Sequence, residues 1–256
     1  MKKLIAMLLA LCLALSMAAC GETATPETTE APAPETTEAP APETTEATTG
    51  EEAPAVMTYA EYEAAELEAA VTVECYVQAT QSWWEDKITV YAQDNDGGYF
   101  IYEMKCAEAD AAKLTAGTKI RVTGFKAEWS GEVEITDATF EFVEGADTFV
   151  AEPMDATELL GTEDLIKHQN KKVAFKGLTI KKIEYKNGEP GDDIYVTVAK
   201  GETEYSFCVE RYLTDPETEV YKAFADLKEG DVVDVEGFLY WYEGVNTHIT
   251  AVAKAA

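Results

Sequence analysis

Leu114-Thr-Ala-Gly117-Thr-Lys-Ile120-Arg-Val122-Thr-Gly124-Phe125 leads to Trp129-Ser-Gly131 and then Ile135-Thr136. The same order of residues returns as Leu227-Lys-Glu-Gly230-Asp-Val-Val233-Asp-Val235-Glu-Gly237-Phe238, then Tyr242-Glu-Gly244 and Ile249-Thr250. The copies are offset by 113 residues through the second glycine pair and by 114 at the end, a slip of one residue in the last strand. A pattern this long, used twice, indicates an internal duplication. Its alternating apolar positions read as strands, and its glycines as turns or close backbone approaches.

The flanking sequence repeats the same unit. Val71–Val77 alternates as a half-buried strand does. Lys87–Gln93 and Tyr99–Lys105 flank Asp94-Asn-Asp96-Gly-Gly98, a hairpin turn by composition. Ala107–Leu114 reads as a short helix, followed by strands over Thr118–Glu128 and Glu132–Phe142. The second copy offers strands over Val173–Tyr185, Asp193–Ala199 and Glu204–Arg211. A helix is expected to open at Asp215-Pro216, an acid at the N-cap before Pro at the first helical position. Strands over Val232–Trp241 and Val245–Val252 complete it. Each copy has a helical lead-in: Thr58-Tyr-Ala-Glu61 is a capping box, and Thr162–Asn170 sits equivalently.

Three strands, a helix and two strands is the order of the OB-fold, a five-stranded Greek-key barrel. Over about 56–253 the chain resembles OB-fold modules of secreted and lipid-anchored bacterial proteins. The expected fold is mainly β, with two tandem OB-fold-like barrels at 56–150 and 151–256, each with a short helix between its third and fourth strands. A pair of unrelated β-sandwiches is the alternative. Val173-Ala-Phe175-Lys-Gly177 matches the V-x-V-x-G that commonly ends the first OB strand, whereas Cys75 stands in the glycine's place in the first copy. That departure puts a bulge there in question.

Residues 1–20, MKKLIAMLLALCLALSMAAC, place two lysines before an apolar run and small residues, the layout of a secretory signal. The run is shorter than the roughly 20 residues a membrane span needs. Met17-Ala-Ala-Cys20-Gly21 resembles the lipobox of bacterial lipoproteins, with Met17 where Leu is usual. The resemblance implies acylation of Cys20 with palmitate-type chains and an extracytoplasmic location, tethered to the bacterial cell membrane. An ordinary signal peptide is the alternative. Residues 21–55 contain only Glu, Thr, Ala, Pro and Gly, and the octet ETTEAPAP recurs there. Such a segment lacks the apolar side chains that offset ordering entropy and is expected to be a disordered stalk. In extended form it would reach on the order of 100 Å.

Of the formal net charge of −29, residues 1–20 contribute +2 and residues 21–55 contribute −9, leaving −22 on 56–256. Nucleic-acid affinity comes largely from Lys and Arg neutralising phosphates, so an acidic surface disfavours that partner. Beyond Cys12 and Cys20, the cysteines Cys75, Cys106 and Cys208 show no metal-like spacing. One disulfide among them is an alternative to three buried thiols, which are expected. His168 and His248 are isolated, no nucleophile or nucleotide-binding motif appears, and no metal or cofactor is expected. Asp94–Gly97 opens like a calcium loop, but no Glu falls at the twelfth position.

The chain therefore reads as a non-enzymatic ligand-binding or adhesion module for a glycan, peptide or protein. Extracytoplasmic single-stranded nucleic-acid binding and a structural spacer are the alternatives. OB-folds bind on the face of strands 2 and 3 and in the loops between strands 1–2 and 4–5. Projected onto this sequence, those positions hold Trp83, Trp84, Tyr91, Tyr99 and Trp129 in the first copy. In the second copy they hold Tyr195, Tyr205, Tyr240, Trp241 and Tyr242. These rings either stack on a ligand or fill barrel ends and the junction between the copies.

Overall fold

Gly117 and Gly230 share one backbone state, φ +88° in each. Each also donates its N–H at 2.8 Å to the first strand of its own copy, to the carbonyls of Val77 and Ile180. The duplication is thus one of conformation as well as sequence. The structure, a computed structural model, describes residues 55–255. The signal segment, Cys20 and nearly all of the stalk lie outside the described residues.

In the first copy, α1 (Tyr59–Ala64) precedes β1 (Ala70–Thr80), β2 (Lys87–Gln93) and β3 (Gly98–Lys105). A four-residue α2 (Glu108–Ala111) then leads to β4 (Lys119–Trp129) and β5 (Glu132–Phe142). These strands close as a barrel in the order β1-β2-β3-β5-β4, with β4 antiparallel to β1 and β3 parallel to β5. In the second copy, β6 (Met154–Asp155) adds in parallel to β7 (Lys172–Tyr185). There follow β8 (Ile194–Lys200), β9 (Thr203–Val209), α3 (Glu219–Ala223), β10 (Val232–Phe238) and β11 (His248–Lys254). Here β10 pairs with both β11 and β7, and His248 meets Cys208 in parallel, so the first barrel's connections recur. Both copies have the OB strand order.

The repeated motif now has physical content at each position. Ile120, Val122, Val233 and Val235 point inward and are buried in the two cores. Gly124 and Gly237 sit where the neighbouring strand's backbone comes too close for a side chain. A Cβ on Gly124 would lie 2.7 Å from the Thr136 carbonyl oxygen, and one on Gly237 would lie 2.2 Å from that of His248. The ladder shifts register at both places, as a bulge does. The first strands differ as their sequences do. Gly177, at φ +65°, lies in a register shift of β7 against β10. Cys75 pairs with Ile120 in an unbroken ladder, so no bulge forms against β4 there. Its thiol is buried, and Cys75, Cys106 and Cys208 are all free.

Local chemistry sets the element ends. The Thr58 capping box forms in full, and Lys126 donates to the carbonyls of Tyr62, Glu63 and Ala65, tying the end of α1 to β4. Asp94 accepts from the N–H groups of Asp96 and Gly97 and from the Tyr99 hydroxyl, which makes that segment a hairpin turn. Asp215 instead closes a turn by accepting from Glu217 N–H, and α3 begins later, with Thr218 accepting from Tyr221 N–H. The expected helix start at Asp215 is thus displaced by a competing Asx turn. The second lead-in is a 3-10 turn over Leu165–His168, and β10 ends at Phe238, short of Trp241.

Candidate functional site

Alternation along β2 and β3 points Val90 and Ile101 into the first core and Tyr91, Phe100 and Tyr102 outward. This outer face is where an OB barrel takes a ligand. Here the second barrel covers half of it. Tyr91 stacks on Phe238 with ring centroids 4.6 Å apart, and Phe100 meets Tyr240 edge-on at 5.2 Å. Tyr240 in turn stacks on His248 at 4.1 Å. The Gln81 amide donates to the Tyr91 oxygen at 3.2 Å, leaving the phenol proton for His248 Nδ1 at 2.6 Å. Burial pushes His248 down to about 3, so the imidazole is neutral and can accept that bond.

Polar groups close the rim of this seam. Gln169 donates to the Gly131 carbonyl, Asn170 donates to the Val133 carbonyl, and the Gln93 side chain accepts from Lys172 N–H. Gly98 permits the approach, since a Cβ there would lie 2.3 Å from the Asn170 backbone. Glu132 is fully buried in the seam. One carboxyl oxygen accepts from Trp241 N–H at 2.8 Å and from Gln169 at 3.2 Å, while the other has no partner. Burial raises its pKa to about 9, against which the Trp241 bond works only in part.

The uncovered part of the face opens into a groove of about 650 Å³ between the barrels. Its rings come from three separate segments: Trp84 is 70% exposed, Tyr212 54% and Tyr102 43%. Trp84 opens a tight turn in which Glu85 and Asp86 both take positive φ, +46° and +63°, and Trp84 and Lys87 exchange two backbone bonds of 2.9 Å. Such backbone costs about 1–3 kcal/mol per residue and persists only where its surroundings enforce it. The Asp86 carbonyl does so by accepting from Cys106 N–H. On the opposite wall, Ser82 N–H donates to the Tyr212 carbonyl at 2.8 Å and fixes the groove's width. A second hollow of about 500 Å³ lies along Phe142–Thr148, but its Lys113 and Lys119 are already paired with Asp110 and Glu74.

The residues singled out from the sequence divide among three environments. Tyr91 and Tyr99 are 1% exposed, so neither offers a ring to solvent, and their expected place on an open stacking face is corrected. Tyr91 is taken by the seam. Tyr99 points inward, against Tyr59 and Tyr62. Trp83, Tyr205 and Trp241 are half-buried against the cores, Trp83 through a bond to the Cys106 carbonyl. Trp84 reaches the groove. Trp129 and Tyr242 form an exposed pair with centroids 5.1 Å apart, where the two strand 4–5 turns meet, and Tyr195 stands alone on β8. Tyr102, Arg211 and Tyr212 were not anticipated. Tyr102 lies two residues beyond Phe100 on one strand, a spacing that places both on one face.

No protein-family model matches the chain, and no curated protein matches it. Among solved structures it is similar to an OBody bound to hen egg-white lysozyme, at 20% identity over 43% of this chain and 98% of that one, with a TM-score of 0.30. It is also similar to the Ifi202 HINa domain in complex with 20-bp double-stranded DNA, at 12% identity, coverage of 72% and 98%, and a TM-score of 0.34. A murine DNA-binding protein bound with double-stranded DNA is similar at 15% identity, coverage of 72% and 96%, and a TM-score of 0.34. Likeness of this degree bears on neither ligand nor partner.

The buried carboxyl makes a pH prediction. Between its ordinary 4.5 and about 9, the folded chain keeps a proton on Glu132 that the unfolded chain releases. Glu132 therefore lowers stability progressively as pH rises through that window. Glu132→Gln removes the titration, so urea midpoints at about pH 5 and about pH 8 should fall more in the wild type than in the variant. Parallel pH profiles would contradict the assignment.

Proposed function

We propose that this chain is a non-enzymatic binding module that holds a saccharide in the groove beside the seam. It works outside the cytoplasm, tethered to the cell membrane through acyl chains on Cys20 and carried on the acidic 21–55 stalk. The observation that carries the binding reading is the convergence of Trp84, Tyr102 and Tyr212 on one groove. Exposed rings of this kind stack on the apolar C–H faces of pyranoses, while the Ser82 hydroxyl and the Gln81 side-chain carbonyl line the same groove as partners for sugar hydroxyls. The first sheet closes as a barrel and offers the groove no edge strand to which an extended peptide could add, which favours a sugar over a peptide. The charge of −22 on 56–256 disfavours nucleic acid, which needs cations along its backbone.

A glycan array probed with the full chain and with Trp84→Ala and Tyr212→Ala tests the groove. Each variant should lose at least about tenfold in affinity, roughly 1.4 kcal/mol. Sugar binding indifferent to both changes would refute the site, and salt-sensitive oligonucleotide binding in its place would favour the nucleic-acid alternative. The tether is tested separately by labelled palmitate, which should enter the wild type and not Cys20→Ala. Equal labelling of both would rule out the anchor.

A further inference from the structure

We infer that Arg211 makes the groove selective for a carboxylate-bearing saccharide of the hexuronate type, an inference that rests on the saccharide reading of the same groove. The chain has 49 acidic and 20 basic residues, and only Arg121 and Arg211 are arginines. Arg121 is engaged by Glu74 at 2.7 Å. The Arg211 guanidinium forms no ion pair or side-chain hydrogen bond among the described residues. Yet it lies 5.1 Å from the Tyr212 ring centroid and lines the groove.

The carboxylates nearby are committed elsewhere. Asp193 accepts from the Arg211 backbone N–H at 3.1 Å and pairs with Lys186 at 2.9 Å, and Asp192 pairs with Lys186 at 3.5 Å and feels the Arg211 charge only at longer range. Lys87, the groove's other cation, is neutralised by Glu103 at 2.6 Å. In so acidic a chain, a guanidinium stacked on a ring and left without a carboxylate is a vacancy for one. Its planar fork of N–H donors matches a carboxylate in two parallel bonds, and the Tyr212 ring attracts the cation from one side. The anion it accepts carries a single charge. Glu85 also lines the groove and the surrounding field is negative, so a phosphate monoester, with close to two charges, would meet repulsion with no second free cation in the groove. A pyranose bearing one carboxylate places that group beside the C–H face that Trp84, Tyr102 or Tyr212 would stack on.

The test is calorimetric titration of the full chain with methyl galactopyranosiduronate, which carries one carboxylate, and with its methyl ester, which keeps the ring and removes the charge. The acid should bind at least about tenfold more tightly than the ester, with a preference that shrinks as salt rises. Arg211→Gln should collapse that preference, and Arg211→Lys, which keeps the charge but loses the fork, should retain only part of it. Equal binding of acid and ester by the wild type, both lost in Trp84→Ala, would overturn the carboxylate assignment and leave the saccharide groove standing. Failure of both probes to bind would overturn the two together.

Discussion

Tyr91 stacked on Phe238, with its hydroxyl bonded to His248, is the contact on which the rest of the arrangement depends. It places the end of the second barrel on the outer face of the first barrel's β2 and β3. That face is the customary ligand surface of this fold, so its occupation removes one site and creates another. What remains uncovered is Tyr102, and the approach of the second barrel brings Arg211 and Tyr212 alongside it. The groove is thus a product of docking rather than of either barrel alone.

The second barrel supplies an internal control. Through the strand pairings, Tyr91 and Phe100 of the first barrel correspond to Thr197 and Ser206 of the second, directly opposed partners in each case. At this pair of positions the first barrel, covered by the second, carries aromatic rings, and the second barrel carries hydroxyls. Aromatic pairs contribute about 0.5–1.5 kcal/mol beyond area burial, a gain the covered Tyr91 and Phe100 can make and Thr197 and Ser206 cannot. The seam also carries two groups whose protonation burial dictates, His248 neutral and Glu132 protonated. They pull in opposite directions: acid destabilises the seam through His248 and alkali through Glu132.

Much of the fold was legible in the sequence because its rules are local. The doubled motif encodes inward Ile120, Val122, Val233 and Val235 and two glycines per copy, one at positive φ and one where the neighbouring strand leaves no room for a Cβ. Cys75 in the glycine's place correctly signalled the missing bulge. The helix start at Asp215 misled because Asp215 and Thr218 have equivalent capping chemistry, and the Asx turn at Asp215 took precedence. The site was legible only in part. Trp84 could be placed in an exposed loop, but nothing in Trp84-Glu-Asp-Lys87 resembles the Asn-Gly signature of so tight a turn. Tyr99 could have been set inside the barrel from its alternation with Ile101. The approach of Tyr212 to Ser82 depends on how two barrels dock, which no periodicity along one strand encodes.

A double-mutant cycle between Tyr91 and His248 measures that docking most directly, using Tyr91→Phe, His248→Ala and the double variant in urea unfolding. The two residues are 157 positions apart and meet only if the second barrel sits on the first. The account predicts a coupling energy of about 1–3 kcal/mol for a buried hydrogen bond of this kind. Additive changes, with coupling below about 0.3 kcal/mol, would mean that the face is open and the groove does not exist as described.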